Sequence, residues 1–427
     1  MSGWVDRIGL DDVSRVLRAA FARGLVGRDT PAAVFHDLAK VRGRVAELVD
    51  RFPPSALHAV AVKANPLVEV LRATVACGAG LEAASIEEVH LARAAGCPPS
   101  KIVFDSPAKT EEELAIALSW GVRVNADNFA EIDRIGALLD RAPSTSVIGL
   151  RINPLVGEGG IPITSVAGRG SKFGVPIDVG PDALIDLYAR RPWLTGLHVH
   201  VGSQGCSLEL LAAGAARAAS LLADLNRRLG SARITSLDIG GGLPVAYRDG
   251  DHPPTLEAYV AALRAAAPSI FEPPIRLTTE LGRAIHANAG WAASRVEYVK
   301  EAPGGETMAV IHLGADFLLR RIYQPQAWHH DIAVLDAEGR PKGGVAAPVS
   351  VVGPLCFGGD VIERGAMLPA VAPGDYVVLR DVGAYTLGMW SRHCSRGLPL
   401  VLGYDGDRIE VLKARETPAA VVAFWSR

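Results

Sequence analysis

Between residues 58 and 280 the chain alternates short apolar runs with amphipathic helical stretches, and it does so eight times. The apolar runs fall at 59–62, 80–84, 102–104, 122–125, 147–152, 196–201, 236–239 and 276–280. They are rich in Val, Ile, Leu and Ala on both faces, the pattern of a strand covered from both sides in a parallel sheet. Helical periodicity occupies the intervals, for example at 86–95, 110–119, 129–139, 183–189, 208–229 and 259–267. Eight such units are what a closed (β/α)8 barrel of the TIM type requires; a doubly wound sheet usually has fewer and carries a glycine fingerprint after its first strand. After about residue 293 the runs become short and β-rich, separated by Gly or Pro turns, as in Pro373-Gly-Asp375 before Tyr376. The expected fold class is α/β plus all-β: a barrel over 31–292, and a β-sandwich or β-barrel domain from 293–427. Residues 1–30 join the latter as an N-terminal arm with an amphipathic helix marked by Val13, Val16, Leu17, Ala20 and Phe21.

The composition narrows the class of function. A formal net charge of -2 with both signs interspersed gives no basic stripe, so neither nucleic acid nor a membrane surface is an expected partner. The opening Met-Ser-Gly-Trp-Val-Asp-Arg has no apolar signal core, and no run is long enough for a membrane span, so a cytoplasmic location is expected. The five cysteines show no CxxC pairing, which fits reduced thiols and argues against a disulfide framework or a zinc site.

In a parallel barrel, chemistry is placed at the C-terminal ends of the strands. Here those ends carry Lys63, Ser85, Asp105, Asn125, Arg151, His200, Asp238 and Glu280. Any one of them alone reads equally as loop polarity, and Lys63 alone as a snorkelling side chain. A ring holding Lys, His, Glu and Arg around one mouth points instead to a site. Leu237-Asp-Ile-Gly-Gly-Gly242 ends the seventh run, where glycines let backbone N–H groups approach an anion, although a plain turn fits them equally well. In such barrels the loops after strands seven and eight commonly hold phosphate, and Arg283, in Glu280-Leu-Gly-Arg283, is placed to add charge to it. A phosphate there, with a lysine after the first strand, suggests pyridoxal 5'-phosphate (PLP) held as a Schiff base on Lys63. Glu280 would then face the ring nitrogen and keep it protonated, and His200 would lie flat against the ring. His198, two residues earlier, reads as an inward-facing core residue.

The motifs Val62-Lys-Ala-Asn65, Ser85 with Glu88, Lys109-Thr110, Leu150-Arg-Ile-Asn-Pro154, Ser171-Lys-Phe-Gly174, His200-Val-Gly-Ser-Gln204, Asp238-Ile-Gly-Gly-Gly242, Glu280-Leu-Gly-Arg283, Gly353-Pro-Leu-Cys356 and Gly383-Ala-Tyr385 resemble, in order, those of the fold-type III PLP-dependent decarboxylases. That family, with the alanine racemase-like fold, includes the diaminopimelate and ornithine/arginine decarboxylases. The resemblance implies that Lys63 carries the cofactor, His200 stacks on its ring and Glu280 pairs its nitrogen. It also implies that Ser203, Gly241, Gly242, Arg283 and Tyr385 hold the phosphate. Cys356 would cross a homodimer interface to return a proton after CO2 leaves, so that the site needs two subunits. Arg151 and Lys172 would support the site without touching the cofactor.

The chain departs from that family at one telling place. Relatives carry an acidic residue directly after the cysteine, which holds the substrate's distal ammonium; here Phe357 follows Cys356. An ammonium against a phenyl ring forfeits a charge-assisted hydrogen bond. The expected activity is therefore decarboxylation of an amino acid lacking a free distal ammonium, with Phe357, Tyr385, Arg320 and Tyr323 among the substrate-binding residues. Arg320 and Tyr323 sit in a motif one residue shorter than the family's; Arg320 reads equally as a ligand for a distal carboxylate and as a surface residue. Two alternatives remain: a diaminopimelate decarboxylase of lysine biosynthesis, and a PLP-dependent racemase. The racemase type pairs arginine with the ring nitrogen and uses a tyrosine across the interface, where this chain has Glu280 and Cys356.

Overall fold

The computed structural model describes residues 6–427, and the chain divides into two compact units. Residues 1–5, the start of the segment that shows no apolar signal core, lie outside the described residues.

The first unit comprises residues 42–245 and 253–285. Its eight parallel strands are β1 (Leu57–Ala61), β2 (Gly80–Ala83), β3 (Ile102–Asp105), β4 (Arg123–Ala126), β5 (Ile148–Asn153), β6 (Leu194–His198), β7 (Ser236–Asp238) and β8 (Arg276–Thr279). Each pairs with the next, and β8 returns to β1 through Thr278↔Leu57 and Thr279↔His58, which closes the barrel. The strands are almost wholly buried, which explains their near-continuous apolar sequence.

Local chemistry sets where the intervening helices begin. Ser85, Asn128, Ser207 and Thr255 each accept the backbone N–H three residues on, and Thr110 with Glu113 forms a reciprocal capping box. The helix Glu111–Trp120 ends at Gly121, whose φ of 75° needs no side-chain accommodation. These caps fix the βα loops at the strand ends, where the site residues sit.

The second unit comprises residues 6–41, 246–252 and 286–427. One sheet has six strands in the order Ile332–Leu335, Tyr376–Leu379, Gly290–Arg295, Ala32–Asp37, Leu400–Asp405 and Arg408–Lys413; a second has four, Tyr298–Glu301, Thr307–Val310, Ala347–Val352 and Val361–Leu368. The helix Leu10–Ala22 buries Val13, Val16, Leu17 and Ala20 in one core with Phe35, Trp291, Val378 and Leu402. Each Val or Leu so buried stabilises by roughly 1.5–3 kcal/mol. Phe35 and Trp291 stack with centroids 3.9 Å apart.

Two expectations need adjustment. The segment 31–41, read as the start of the barrel, instead contributes Ala32–Asp37 to the middle of the six-stranded sheet, antiparallel to Gly290–Arg295 and parallel to Leu400–Asp405. The segment 1–30, read as an arm, contains a helix that is integral to that sheet's core. Among the described residues no helix is long and apolar enough to cross a membrane.

Candidate active site

The C-terminal ends of the barrel strands carry a concentration of buried charge. Lys63 lies in a single 3-10 turn (Val62–Ala64) directly after β1, and its ammonium pairs with Glu82, a fully buried carboxylate on β2. Arg151 on β5 donates to Asp105 on β3 at 2.7 Å, which holds Asp105 well below the usual carboxylate range despite its burial. The guanidinium of Arg151 also lies 4.4 Å from the Phe173 ring centre, and the Lys172 ammonium 5.0 Å from it, so both act on the loop after β5. Lys109, fully buried, pairs with Glu131 at 2.8 Å and donates to the Asn125 carbonyl at 2.9 Å.

Glu280 follows β8 and is buried, with Oε1 lacking a hydrogen-bond partner. Its Oε2 lies 3.6 Å from His198 Nε2 and 4.0 Å from His200 Nδ1. Burial raises the Glu280 carboxyl well above its ordinary value, and the nearby Glu82 and Asp105 add to the rise. Asp238 on β7 is pushed up to about 8 by burial and by Glu280. Four buried carboxyl groups therefore share this interior with few cations, and some keep their protons at neutral pH.

His200 accepts the backbone N–H of Gly241 on Nδ1 at 3.2 Å, which fixes a neutral ring with its proton on Nε2. Burial holds its basicity well down, and Arg151 and Lys63 lower it further. Gly241 thus locks the imidazole, a role its sequence position did not announce. The 240–242 stretch admits no side chain: a Cβ at Gly241 would meet the Glu280 carbonyl oxygen at 2.3 Å, and one at Gly240 the His200 ring at 2.4 Å.

Around the same rim, Arg283 donates to Ser203 Oγ from Nε at 3.3 Å and from Nη2 at 3.2 Å, joining the loop after β6 to the segment after β8. Gln204 ties the loops after β6 and β7 together, donating to the Val245 carbonyl at 2.7 Å and accepting its N–H at 3.0 Å. Lys63, His200, Ser203, Gly241, Gly242, Glu280 and Arg283 thus all belong to the loops and strand ends of one unit.

These residues fit PLP. A cation and a hydroxyl face each other beside a glycine stretch, which suits a phosphate. The orphaned carboxyl oxygen of Glu280 suits a protonated ring nitrogen, and the amine of Lys63, paired here with Glu82, suits the aldehyde. His198, His200 and Glu280 also bring ligand atoms within 4.8 Å of one another, a spacing a metal ion uses. His200 Nδ1 is already engaged by Gly241, so the set is better arranged to orient an imidazole than to chelate.

The second unit holds the remaining candidates. Cys356 is exposed, on a loop whose fold depends on Asp360: one carboxyl oxygen accepts Ala315 N–H at 2.6 Å, and the other accepts Leu355 N–H at 2.7 Å. Phe357 lines a cleft of about 310 Å³ with Leu319, Tyr323, Leu355, Ser391 and His393. Arg320 is not a free surface arginine: its guanidinium lies 4.0 Å from the Trp328 ring centre and 5.1 Å from that of Tyr385, and it donates to the Ala384 carbonyl at 3.2 Å. Tyr385 has a left-handed backbone (φ 58°), a strained state for a tyrosine.

Glu82, the partner of Lys63, was missed by the reading of strand ends. Its signal was present, since Gly80-Leu-Glu-Ala83 places a carboxylate inside a strand buried on both faces, where charge survives only if paired.

Comparison with known proteins bears on all of this. The pyridoxal binding domain of the pyridoxal-dependent decarboxylases matches residues 38–287. The diaminopimelate decarboxylase of Pseudomonas aeruginosa is 33% identical over 364 residues, covering 84% of this chain and 83% of that protein. Its counterpart from Pseudomonas fluorescens is 34% identical over 378 residues, 85% of each. Among solved structures, the diaminopimelate decarboxylase of Helicobacter pylori, complexed with L-lysine, is similar with a TM-score of 0.83 and 26% identity, over 95% of this chain and 98% of that one.

Proposed function

We propose, from the premise that this chain belongs to the fold-type III pyridoxal-dependent decarboxylases and is a PLP-dependent amino-acid decarboxylase, that its substrate is an amino acid whose side chain ends without a free ammonium. The observation that carries the proposal is the cleft beside Cys356. Phe357 lines it, and none of its lining residues is a carboxylate. Asp360, the acidic residue of the same loop, spends both oxygens on backbone N–H groups. An ammonium entering this cleft would lose water without gaining a counter-charge. A neutral, apolar or amidated side chain would not.

When bound, PLP supplies an aldehyde for the substrate amine and a ring that accepts the electron pair left as CO2 departs. In this reading Lys63 would hold the cofactor through its amine, which Glu82 pairs with and orients in the absence of the cofactor. Glu280 would serve the ring nitrogen, and His200, locked by Gly241, would pack against the cofactor's ring. Ser203, Gly242 and Arg283 would hold the phosphate, Gly241 acting by way of His200. Cys356, exposed on its loop, would return a proton to the carbon that lost CO2 in the site of a second copy of the chain, which would make the working form a homodimer. Arg320, stacked against Trp328, sets the position of Tyr385.

The counter-reading, that the substrate is diaminopimelate, is favoured by the names of the relatives at 33–34% identity. CO2 release from meso-diaminopimelate, ornithine, glutamate and aromatic or amidated amino acids separates the two. The proposal expects no release from diaminopimelate, and its appearance in Phe357→Glu. Ordinary turnover of diaminopimelate by the unaltered chain would sink it.

A further inference from the structure

At the C-terminal ends of the barrel strands, Arg151, Asp105 and His198, each on a different strand, and Glu280, which follows β8, approach one another in series. Arg151 Nη1 lies 2.7 Å from Asp105 Oδ2, Asp105 Oδ1 lies 3.6 Å from His198 Nδ1, and His198 Nε2 lies 3.6 Å from Glu280 Oε2. All four are buried, His198 completely. Among the described residues, neither ring nitrogen of His198 has a hydrogen-bond partner, and neither has Asp105 Oδ1. A separation of 3.6 Å is only a few tenths of an ångström beyond hydrogen-bond range. Each ring nitrogen of His198 thus faces one carboxyl group just beyond hydrogen-bond range.

We propose that His198 is a positioning residue, anchored by Asp105 and Arg151, that fixes the carboxyl group of Glu280 for the cofactor's ring nitrogen. This rests on the reading of Glu280 given above and goes beyond it by assigning the residue that makes Glu280 competent.

The series of contacts starts at Arg151. Its guanidinium keeps Asp105 ionised, so His198 Nδ1 faces a fixed negative charge and carries the imidazole proton. Nε2 is then an acceptor turned toward Glu280. Glu280 keeps its proton more readily than an ordinary carboxyl because burial and the Glu82 and Asp105 carboxylates oppose its ionisation. Its O–H can donate to Nε2, which fixes one oxygen and leaves Oε1 for a ligand. Asp238 also hydrogen-bonds Glu280, so His198 is an acceptor beside it that is not a carboxyl group. The charged and titratable groups around His198 are Glu82, Asp105, Asp238, Arg151, Glu280 and His200.

The test compares two ligands of the full-length apoprotein: PLP, and its carbon analogue 1-deazapyridoxal 5'-phosphate, in which C–H replaces the ring nitrogen. Their affinity ratio isolates the contact with the nitrogen, and equilibrium dialysis or protein fluorescence reads it without turnover. The unaltered chain is expected to prefer PLP by about tenfold or more, the size of one charge-assisted hydrogen bond. His198→Phe, which keeps the ring's bulk and removes its nitrogens, is expected to reduce the preference to within about twofold, as is Glu280→Ala. His198→Ala serves as a second variant should the phenylalanine not be accommodated. A variant that weakens both ligands equally and keeps the ratio gives His198 a packing role only and overturns the proposal. If Glu280→Ala also keeps the ratio, the reading of Glu280 is itself wrong. If Glu280→Ala loses it and His198→Phe does not, only the role of His198 is refuted.

Discussion

The barrel and the six-stranded sheet of the second unit solve the problem of an interior in opposite ways. The sheet's core holds Phe35, Trp291, Leu17, Val378 and Leu402, apolar groups that need nothing further. The barrel's mouth buries Glu82, Asp105, Asp238, Glu280, Arg151 and His198, and leaves several of their polar atoms without hydrogen bonds. An ionic interior is weak evidence of stability, since well-packed apolar groups would often serve as well or better. Its retention beside orphaned acceptors marks a place shaped for something that arrives later. The second unit keeps its own reactive candidate, Cys356, outside on a loop. One region offers a pre-built cradle, and the other offers an exposed group.

The two buried-end lysines of the barrel sharpen that contrast. Lys63→Ala should lower turnover by at least about 10³-fold, the scale seen when a group central to the reaction is removed. It should also lower the unfolding midpoint, because it strips the partner from Glu82, a fully buried carboxylate, although Lys63 itself is 41% exposed. Lys109→Ala should act on stability alone: it strips the partner from buried Glu131 and should destabilise by about 3–5 kcal/mol, read from urea unfolding. Unchanged turnover by Lys63→Ala beside such a stability loss would mean that the ring of charges is mainly structural.

The barrel was legible because its information is local. Each strand and helix announces itself by periodicity and caps, and a right-handed βα chain has few ways to close. The lysine after β1, the glycines after β7 and Arg283 after β8 could be read from position alone. The second unit was less legible because its pairings are distant. Ala32–Asp37 looks like any strand, and its neighbours Gly290–Arg295 and Leu400–Asp405 come more than 250 residues later. Gly290–Arg295 is also poor in β-branched residues, and Val361–Leu368 contains Gly365 at φ 58°; neither was read as a strand. In the site, Glu82 and the bridging place of His198 depend on which strands become neighbours, which no single stretch records.

The smallest effect probes the second unit's buried polarity. His330 is buried, with Nδ1 donating to the Arg380 carbonyl at 3.0 Å, and burial lowers its pKa to about 3. In the unfolded chain a histidine takes up its proton near pH 6.5. As pH falls below that value, the unfolded state gains protons that the folded state refuses, so stability declines from about pH 6.5 down to about 3. By pH 5 this one group should have removed about 2 kcal/mol relative to pH 7. His330→Gln keeps a donor for the Arg380 carbonyl but does not titrate, so its urea midpoint should fall less between pH 7 and pH 5. Parallel pH profiles for the two proteins would show that protonation of His330 does not govern the second unit's stability. The contrast with the barrel would then have to rest on Lys109 and its carboxylate alone.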